Sequence, residues 1–526
     1  MKKVKSWLGE RKNRILCLKL AMAFLFPFLL CVLYCLKEGA WIGQLHFASA
    51  QNNDNLFYYK QVEGMVKYGI PQGYFGFNES NAQIFSFAAW SPVVLFPWAL
   101  WGMIFGWNYV SLLTCNIFLL SLVLALIVHW VRPKWKDMLF TAVMLAAFPS
   151  ITRYLMSCLA ETIIVTFVLL FYGMALGYAR CESRGKLISM FVVAGYLTWI
   201  RPYMVLLLLL PGLFLFLKNK RQGLLVTGGT MAINVVVYFL ISAYFTADYF
   251  QGLYNFSLFS GFREYGLLKG TYHLLLQVLH TLDALLYAMK LSITEGSFLG
   301  ANYCVLALLV LLIIVLIICL LRKKDKKLQL YIILHYVITV VISTAALLLL
   351  MQKMNETSRH IMSFVAAGML ILGCVTVQTS WKEVWKPILV VSLCILLYHL
   401  YPDDGQDFQV PILIPEKYEE EQCWNEINAH IVLELERTPS FANTVIWVYS
   451  DEIEGNSQRM SWQHMLSLPE GVGISCCGSD YLKDNWNELR SRYITTLVNG
   501  EIDKLCEESG FEKIGEANGK VIYKRY

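Results

Sequence analysis

Apolar runs of about 18 residues or more recur through the first four hundred residues of this chain. Each is the length a helix needs to cross a hydrocarbon core. In lipid every backbone N–H and C=O must be satisfied internally, which leaves helices and closed barrels. These runs lack the alternating in–out pattern of barrel strands. The chain therefore reads as an all-α polytopic membrane protein. Only 16% of its 526 residues are charged, against about 25% in soluble globular chains.

The charge is unevenly divided. After Tyr401 there are 23 acidic and 11 basic residues, which leaves the preceding part at +18. Those bases cluster in short loops, as the positive-inside rule expects of cytoplasmic connections. No basic stripe interleaved with aromatics lies on a soluble element, so nucleic acid is not expected as a partner. The 14 cysteines are scattered, with no CxxC pair or zinc spacing. Four lie in the tail (Cys423, Cys476, Cys477, Cys506), where a disulfide is possible but its pairing is not readable.

In order, residues 1–14 form a basic cytoplasmic N-terminus and Ile15–Leu36 an uncleaved first span. Residues 37–107 are an extracytoplasmic loop, ending in an interfacial or re-entrant helix over Trp90–Gly106. Further spans follow over Asn108–Val131, Met138–Pro149, Cys158–Tyr178, Leu187–Ile200, Tyr203–Leu217 and Leu224–Phe245. Residues 246–302 are placed outside, with one or two surface helices. Tyr303–Leu321, Leu328–Leu350, Ile361–Val377 and Pro387–Leu400 complete about eleven spans. The multi-span domain is thus 15–400, followed by a linker at 401–417 and a small soluble α/β domain at 418–526. Within that domain the pattern predicts helices over Tyr418–Glu436, Trp486–Leu497 and Glu501–Ser509, and strands over Thr444–Tyr449 and Gly473–Cys477. A terminal hairpin is expected to turn at Asn518-Gly519.

A charge in or beside a span is expensive and calls for a reason. By this topology Arg153, Glu161, Arg201, Arg359 and His360 gather near the outer ends of spans, and Asp54 and Lys60 lie in the first loop. Acids and bases converging on one face suit an anion plus a general base. Asp54 is readable as a base that deprotonates an attacking hydroxyl or as the N-cap of the segment that follows. Arg359, Arg201 and Arg153 are phosphate ligands or interfacial anchors. Glu161 belongs to a site or to a structural ion pair, and His360 alone is a weak signal. No Walker loop, GxSxG elbow, HExxH or dinucleotide fingerprint occurs, which disfavours ATP-driven transport.

Several of these stretches carry a resemblance. The loop runs D-x-x-x-Y-Y-x-x-x-x-G from Asp54 to Gly64, then YGIPQGYFGFNES, then a Trp90-Ser91-Pro92 segment ending in Phe105-Gly106. Later come LAET at 159–162, the Arg201-Pro202 bend and Arg359-His360 opening a late span. Residues 1–401 resemble the GT-C membrane glycosyltransferases, near the RgtA/B/C/D-like and protein-O-mannosyltransferase type. The resemblance implies a polyprenyl-phosphate-linked sugar donor, an envelope glycan, lipid or protein acceptor, and inversion at the transferred sugar. It implies Asp54 as catalytic base and Glu161 as an orienting acid. Donor-phosphate ligands would come from Lys60, Arg153, Arg201, Arg359 and His360. Where relatives carry a second acid beside the first, this chain has Asn55, so no cofactor and no metal are expected in the loop. The competing readings are a flippase or other transporter of lipid-linked glycans, and a polysaccharide polymerase. A transporter is expected to pair broken helices in matching halves, and no second half matches the first.

Overall fold

The computed structural model describes residues 11–37, 39–45, 53–69, 75–81, 91–246, 259–295, 299–322, 327–350, 357–375, 415–433, 441–449, 464 and 467–525. The membrane part begins with α1 (Arg11–Lys37). The first loop contributes α2 (Asn53–Tyr68) and the short strands β1 (Phe75–Phe77) and β2 (Ser80–Asn81). A 3₁₀ turn, Pro92–Leu95, leads into α3 (Phe96–Phe105), with Ser91 Oγ accepting from the Val93 N–H. Then come α4 (Tyr109–Val131), α5 (Trp135–Ala146), α6 (Pro149–Leu155), α7 (Ala160–Arg180) and α8 (Arg184–Ile200). A 3₁₀ segment, Pro202–Leu208, precedes α9 (Leu209–Lys218). The bundle continues with α10 (Lys220–Phe245), α11 (Ser260–Glu295), α12 (Leu299–Arg322), α13 (Lys327–Leu350) and α14 (Thr357–Val375).

Among the described residues five helices are long and apolar enough to cross a membrane: Lys12–Leu36, Tyr109–Val131, Ala160–Arg180, Lys220–Phe245 and Lys327–Leu350. Four apolar helices are shorter, among them Pro92–Phe105 and Arg359–Cys374. The expected span at Pro387–Leu400 lies outside the described residues. Among the described residues the long mixed stretch before Asn302 holds α11, which the non-helical backbone at Gly266 divides into two helical segments. The protein is a polytopic helical membrane protein with a small α/β domain.

The axis of the bundle is α7. Its apolar window is 83% buried, whereas that of α10 is 6% buried and faces outward. Small residues let the neighbours close in, as is usual where lipid supplies no hydrophobic drive between helices. A side chain at Gly173 would collide with Ile127, and one at Gly177 with Trp130, both on α4.

The C-terminal part is built on a sheet with order β2-β1-β4-β3-β5-β7-β6. It comprises α15 (Pro415–Asn428), β3 (Thr444–Tyr449), β4 (Gly473–Gly478), α16 (Ser479–Asp484), β5 (Tyr493–Leu497), α17 (Glu501–Glu508), β6 (Glu512–Ala517) and β7 (Lys520–Lys524). Asn518 and Gly519 turn the last hairpin with φ of +53° and +71°, the pairing a type I′ turn requires. Two sequence expectations fail here. The stretch Trp486–Leu497 is not a helix: Trp486–Glu488 is a single 3₁₀ turn and Tyr493–Leu497 is strand β5. Its β-branched Ile494, Thr495 and Thr496 favour the pleated surface, and β5 is paired on both sides, with β3 and β7. The helix expected to reach Glu436 stops at Asn428, whose side-chain amide bonds His464. The short helix α16 was not anticipated. The four tail cysteines are unpaired.

The strands from the first loop belong to this sheet. β1 runs parallel to β4, with Phe75 opposite Ile474 and Phe77 opposite Cys476. The loop and the C-terminal domain, far apart in sequence, are therefore one folded body seated on one end of the bundle.

Candidate functional site

The turn that starts α7 is the centre of the site. Leu159 precedes it in extended conformation and offers no side-chain cap. Glu161 stands in the first turn, where a carboxylate is favoured by the unsatisfied N–H groups and the helix dipole. Its side chain is 1% exposed. Two guanidinium groups reach the same carboxylate oxygen from different helices: Arg201 Nη2 donates to Glu161 Oε1 at 2.5 Å, and Arg359 Nε lies 3.0 Å from it. Glu161 Oε2 has no hydrogen-bond partner among the described residues.

Each cation is delivered by a local feature of the sequence. Arg201 precedes Pro202, and a residue before proline is steered out of the α region. The backbone at Arg201 is accordingly extended (φ −137°, ψ 112°), which ends α8 and sends the side chain into the bundle. There it also donates to the Tyr203 hydroxyl at 3.3 Å. Arg359 and His360 stand in the first turn of α14, with His360 2% exposed. Both act electrostatically on Glu161. Arg153, on α6, donates to the Tyr34 hydroxyl of α1 at 2.9 Å. The buried Tyr154 lies within the fields of Glu161, Arg359, Arg201 and Arg153 together.

Asp54 falls in the first turn of α2, since the helix already begins at Asn53. It is therefore not the N-cap, though the first turn favours an acid for the same dipolar reason. The start of α2 is tied to the site by its neighbour: Asn55 Oδ1 accepts from the Cys158 N–H at 2.8 Å, three residues before Glu161. Asp54 and the Glu161 cluster are thus at the same end of the bundle. Lys60 is brought elsewhere. Its ammonium pairs with Glu63 and donates to the Leu468 carbonyl at 2.9 Å, so it joins α2 to the C-terminal domain. Lys67 makes a second such link to Glu470 at 3.2 Å.

Sequence reasoning missed Asn116. This fully buried amide on α4 accepts from Trp98 Nε1 at 2.7 Å and donates to the carbonyls of Leu155 and Ser157 at 3.0 and 2.9 Å. It fixes the turn between α6 and α7 from which both Arg153 and Glu161 depart. The signal was available, because an amide inside an apolar run needs partners just as a charge does. Among the described residues no group of three or more His, Cys, Asp or Glu side chains could hold a metal ion.

No protein-family model matches the chain, and no curated protein matches it significantly. Solved structures similar to it include the oligosaccharyltransferase AglB from Archaeoglobus fulgidus, in complex with an inhibitory peptide and a dolichol-phosphate. That likeness has 11% identity and a TM-score of 0.47, over 93% of this chain and 70% of AglB. Another is ArnT from Cupriavidus metallidurans bound to undecaprenyl phosphate, with 11% identity and a TM-score of 0.48, over 98% of each chain. Neither likeness reaches a TM-score of 0.5, and neither establishes family or activity for this chain.

Proposed function

We propose that this protein is an integral membrane glycosyltransferase. It moves a sugar from a polyprenyl-phosphate-linked donor to an acceptor hydroxyl of an envelope glycan, lipid or protein at the extracytoplasmic face. The observation that carries this reading is the convergence of Arg201 and Arg359 on one carboxylate oxygen, beside the turn where the Asp54 helix docks. Guanidinium forks match phosphate geometry, and here they lie at the end of membrane helices, where a lipid-borne phosphate would arrive.

In this mechanism Arg359 and Arg201 hold the donor phosphate, with Arg153 and His360 adding positive potential. Asp54 takes the proton of the acceptor hydroxyl. The hydroxyl oxygen bonds to the anomeric carbon from the face opposite the phosphate. The anomeric carbon–oxygen bond breaks and its electron pair leaves with the phosphate oxygen, which inverts the centre. A phosphate leaves readily without a proton, so cations that stabilise its developing charge serve in place of a general acid. Glu161 holds the two arginines, and its Oε2 can accept from a substrate hydroxyl.

The test is sugar transfer from a radiolabelled polyprenyl-phosphate donor pool in membranes, comparing wild type with Asp54→Asn at equal expression. Loss of transfer in the variant alone is the expected result, by at least about 10²-fold. Equal transfer would remove Asp54 as the base and direct attention to Glu161. Absence of transfer in both would reject the enzyme reading in favour of lipid-linked glycan translocation.

A further inference from the structure

Building on that reading, we propose that the acceptor is itself a lipid, and that its hydrocarbon chain lies in a groove bounded by α1, α3 and α4. The groove measures about 610 Å³, within the range of specific ligand pockets. Phe24, Leu25 and Phe28 of α1 form one wall, and Leu113, Ile117 and Phe118 of α4 the other, with Trp101 of α3 alongside. Phe24 meets Phe118 edge-on at 6.2 Å, and Phe118 lies 5.4 Å from Trp101. Among the described residues none that lines it is charged, and the Thr114 hydroxyl is bonded back to its own helix at Val110 O. On α4 the lining runs from Tyr109 to Ser121, which spans about 18 Å at the rise of an α-helix. Such a groove suits a long alkyl or isoprenoid chain and nothing polar.

Its position relative to the site chooses between lipids. Tyr109 lines the groove and its hydroxyl donates to Glu421 of α15 at 3.4 Å, which marks the end nearest the C-terminal part, where aromatics are expected at a membrane interface. Met156 lines the groove as well. Two residues further on, the Cys158 N–H is held by Asn55, the neighbour of Asp54. Two peptide units reach at most about 7.6 Å, so the mouth of the groove lies on the side of the bundle where α2 begins. The guanidinium groups come from the α8–α9 connection and from α14 instead. An uncharged groove on the side where α2 begins fits the chain of the lipid that supplies the hydroxyl; the donor belongs where the arginines are.

The test uses the full chain in nanodiscs of phosphatidylcholine and phosphatidylglycerol. The probe is dodecyl β-glucoside, which offers sugar hydroxyls on a twelve-carbon chain, with a diazirine at the chain terminus. Crosslinks are mapped by mass spectrometry. Labelling is expected on the α1 and α4 segments around Phe28 and Leu113, competed by unlabelled dodecyl glucoside and not by free glucose. Leu25→Trp and Val110→Trp fill the groove from positions that are 52% and 67% exposed, so the fold should carry them. Each should lower labelling about tenfold, the affinity carried by two buried methylenes. Labelling elsewhere, or labelling undiminished in both variants, would overturn the proposal. So would equal labelling by a diazirine-tailed phosphatidylcholine, which means bulk lipid, or preferential labelling by a diazirine-tailed polyprenyl phosphate, which means the donor. Crosslinking needs no turnover. Its failure alongside loss of transfer in Asp54→Asn therefore removes the lipid acceptor while leaving the glycosyltransferase standing.

Discussion

Glu161 and Glu79 are both buried carboxylates at the same end of this molecule, and they are held in opposite ways. Glu79 sits in the turn between β1 and β2, 3% exposed. The Arg490 N–H donates to both its oxygens, at 2.9 and 3.0 Å, and the Ser491 N–H to Oε1 at 2.6 Å. These are fixed backbone donors, and they lock the first-loop hairpin to the C-terminal sheet. Glu161 is held by two long side chains from different helices through a single oxygen, while Oε2 has no partner among the described residues. A carboxylate engaged on both oxygens by fixed backbone N–H groups has less capacity for a ligand. One gripped by side chains on one oxygen can share its partners with an incoming phosphate and offer its other oxygen to a hydroxyl. Equal burial therefore separates a clasp from a site only once the partners are counted.

The sharpest way to break this contrast is to neutralise each acid. Glu161→Gln leaves Arg201 and Arg359 buried around a neutral amide. Removing one partner from such a cluster costs about 3–5 kcal/mol. The expected outcome is loss of both thermal stability and sugar transfer, read by detergent-solubilised melting and by the membrane transfer assay. Transfer at wild-type levels would remove Glu161 from the site. The two arginines should then divide. Arg201 is 2% exposed and bonded to Glu161 and Tyr203, whereas Arg359 is 13% exposed. Lysine keeps the charge and loses the fork. Arg359→Lys is expected to raise the donor KM about tenfold with a small effect on melting, and Arg201→Lys to do the reverse. Equal effects on both parameters would mean that the two arginines play one role.

Glu79→Gln is milder. It keeps the acceptor oxygen but removes the charge from backbone hydrogen bonds, which should weaken the clasp by about 1–3 kcal/mol. Asn78 and Glu79 adopt φ of +47° and +56°, a conformation that glycine and asparagine take more readily than glutamate. Glu79→Gly therefore relieves turn strain while losing the anchor. Both variants should speed protease cleavage of the first loop and lower kcat through α2, with donor KM unchanged. A raised donor KM would place the clasp within the binding site.

The contrast also explains what the sequence disclosed. The bundle was legible because apolar runs and basic loops are local signals. Most described helix boundaries lie within a few residues of those expected. Arg201 was legible because Pro202 fixes its backbone, and Glu161 because an acid in a span needs a partner. The role of Glu79 was not legible, since its partners Arg490 and Ser491 lie more than four hundred residues away and hold its carboxylate mainly through backbone N–H groups, which have no side-chain signature. Strand β5 was missed for a related reason. Its short run of alternating residues becomes a strand through pairing with β3 and β7, which no local window contains. The assignment of Lys60 to the donor phosphate ignored Leu468, whose carbonyl it meets only after the C-terminal domain docks.

A third buried titratable group shows the neutral solution to the same problem, and it carries the smallest expected effect. His464 is fully buried. It stacks on Trp424 with centroids 3.9 Å apart and bonds to Asn428. Burial, with Lys520 nearby, pushes its pKa down from 6.5 to about 3, so it stays neutral. The folded state thus resists a proton that the unfolded chain accepts below about pH 6.5. The stability linked to His464 is fully present above that pH and falls as the pH is lowered toward 3. The protection factors of the β3–β5 amides, which normalise exchange to the intrinsic rate at each pH, should fall between pH 7.5 and 5 in the wild type. In His464→Gln, which keeps an amide beside Asn428 but cannot titrate, that fall should be smaller. An identical pH dependence in both proteins would mean that His464 does not set the acid sensitivity of the domain.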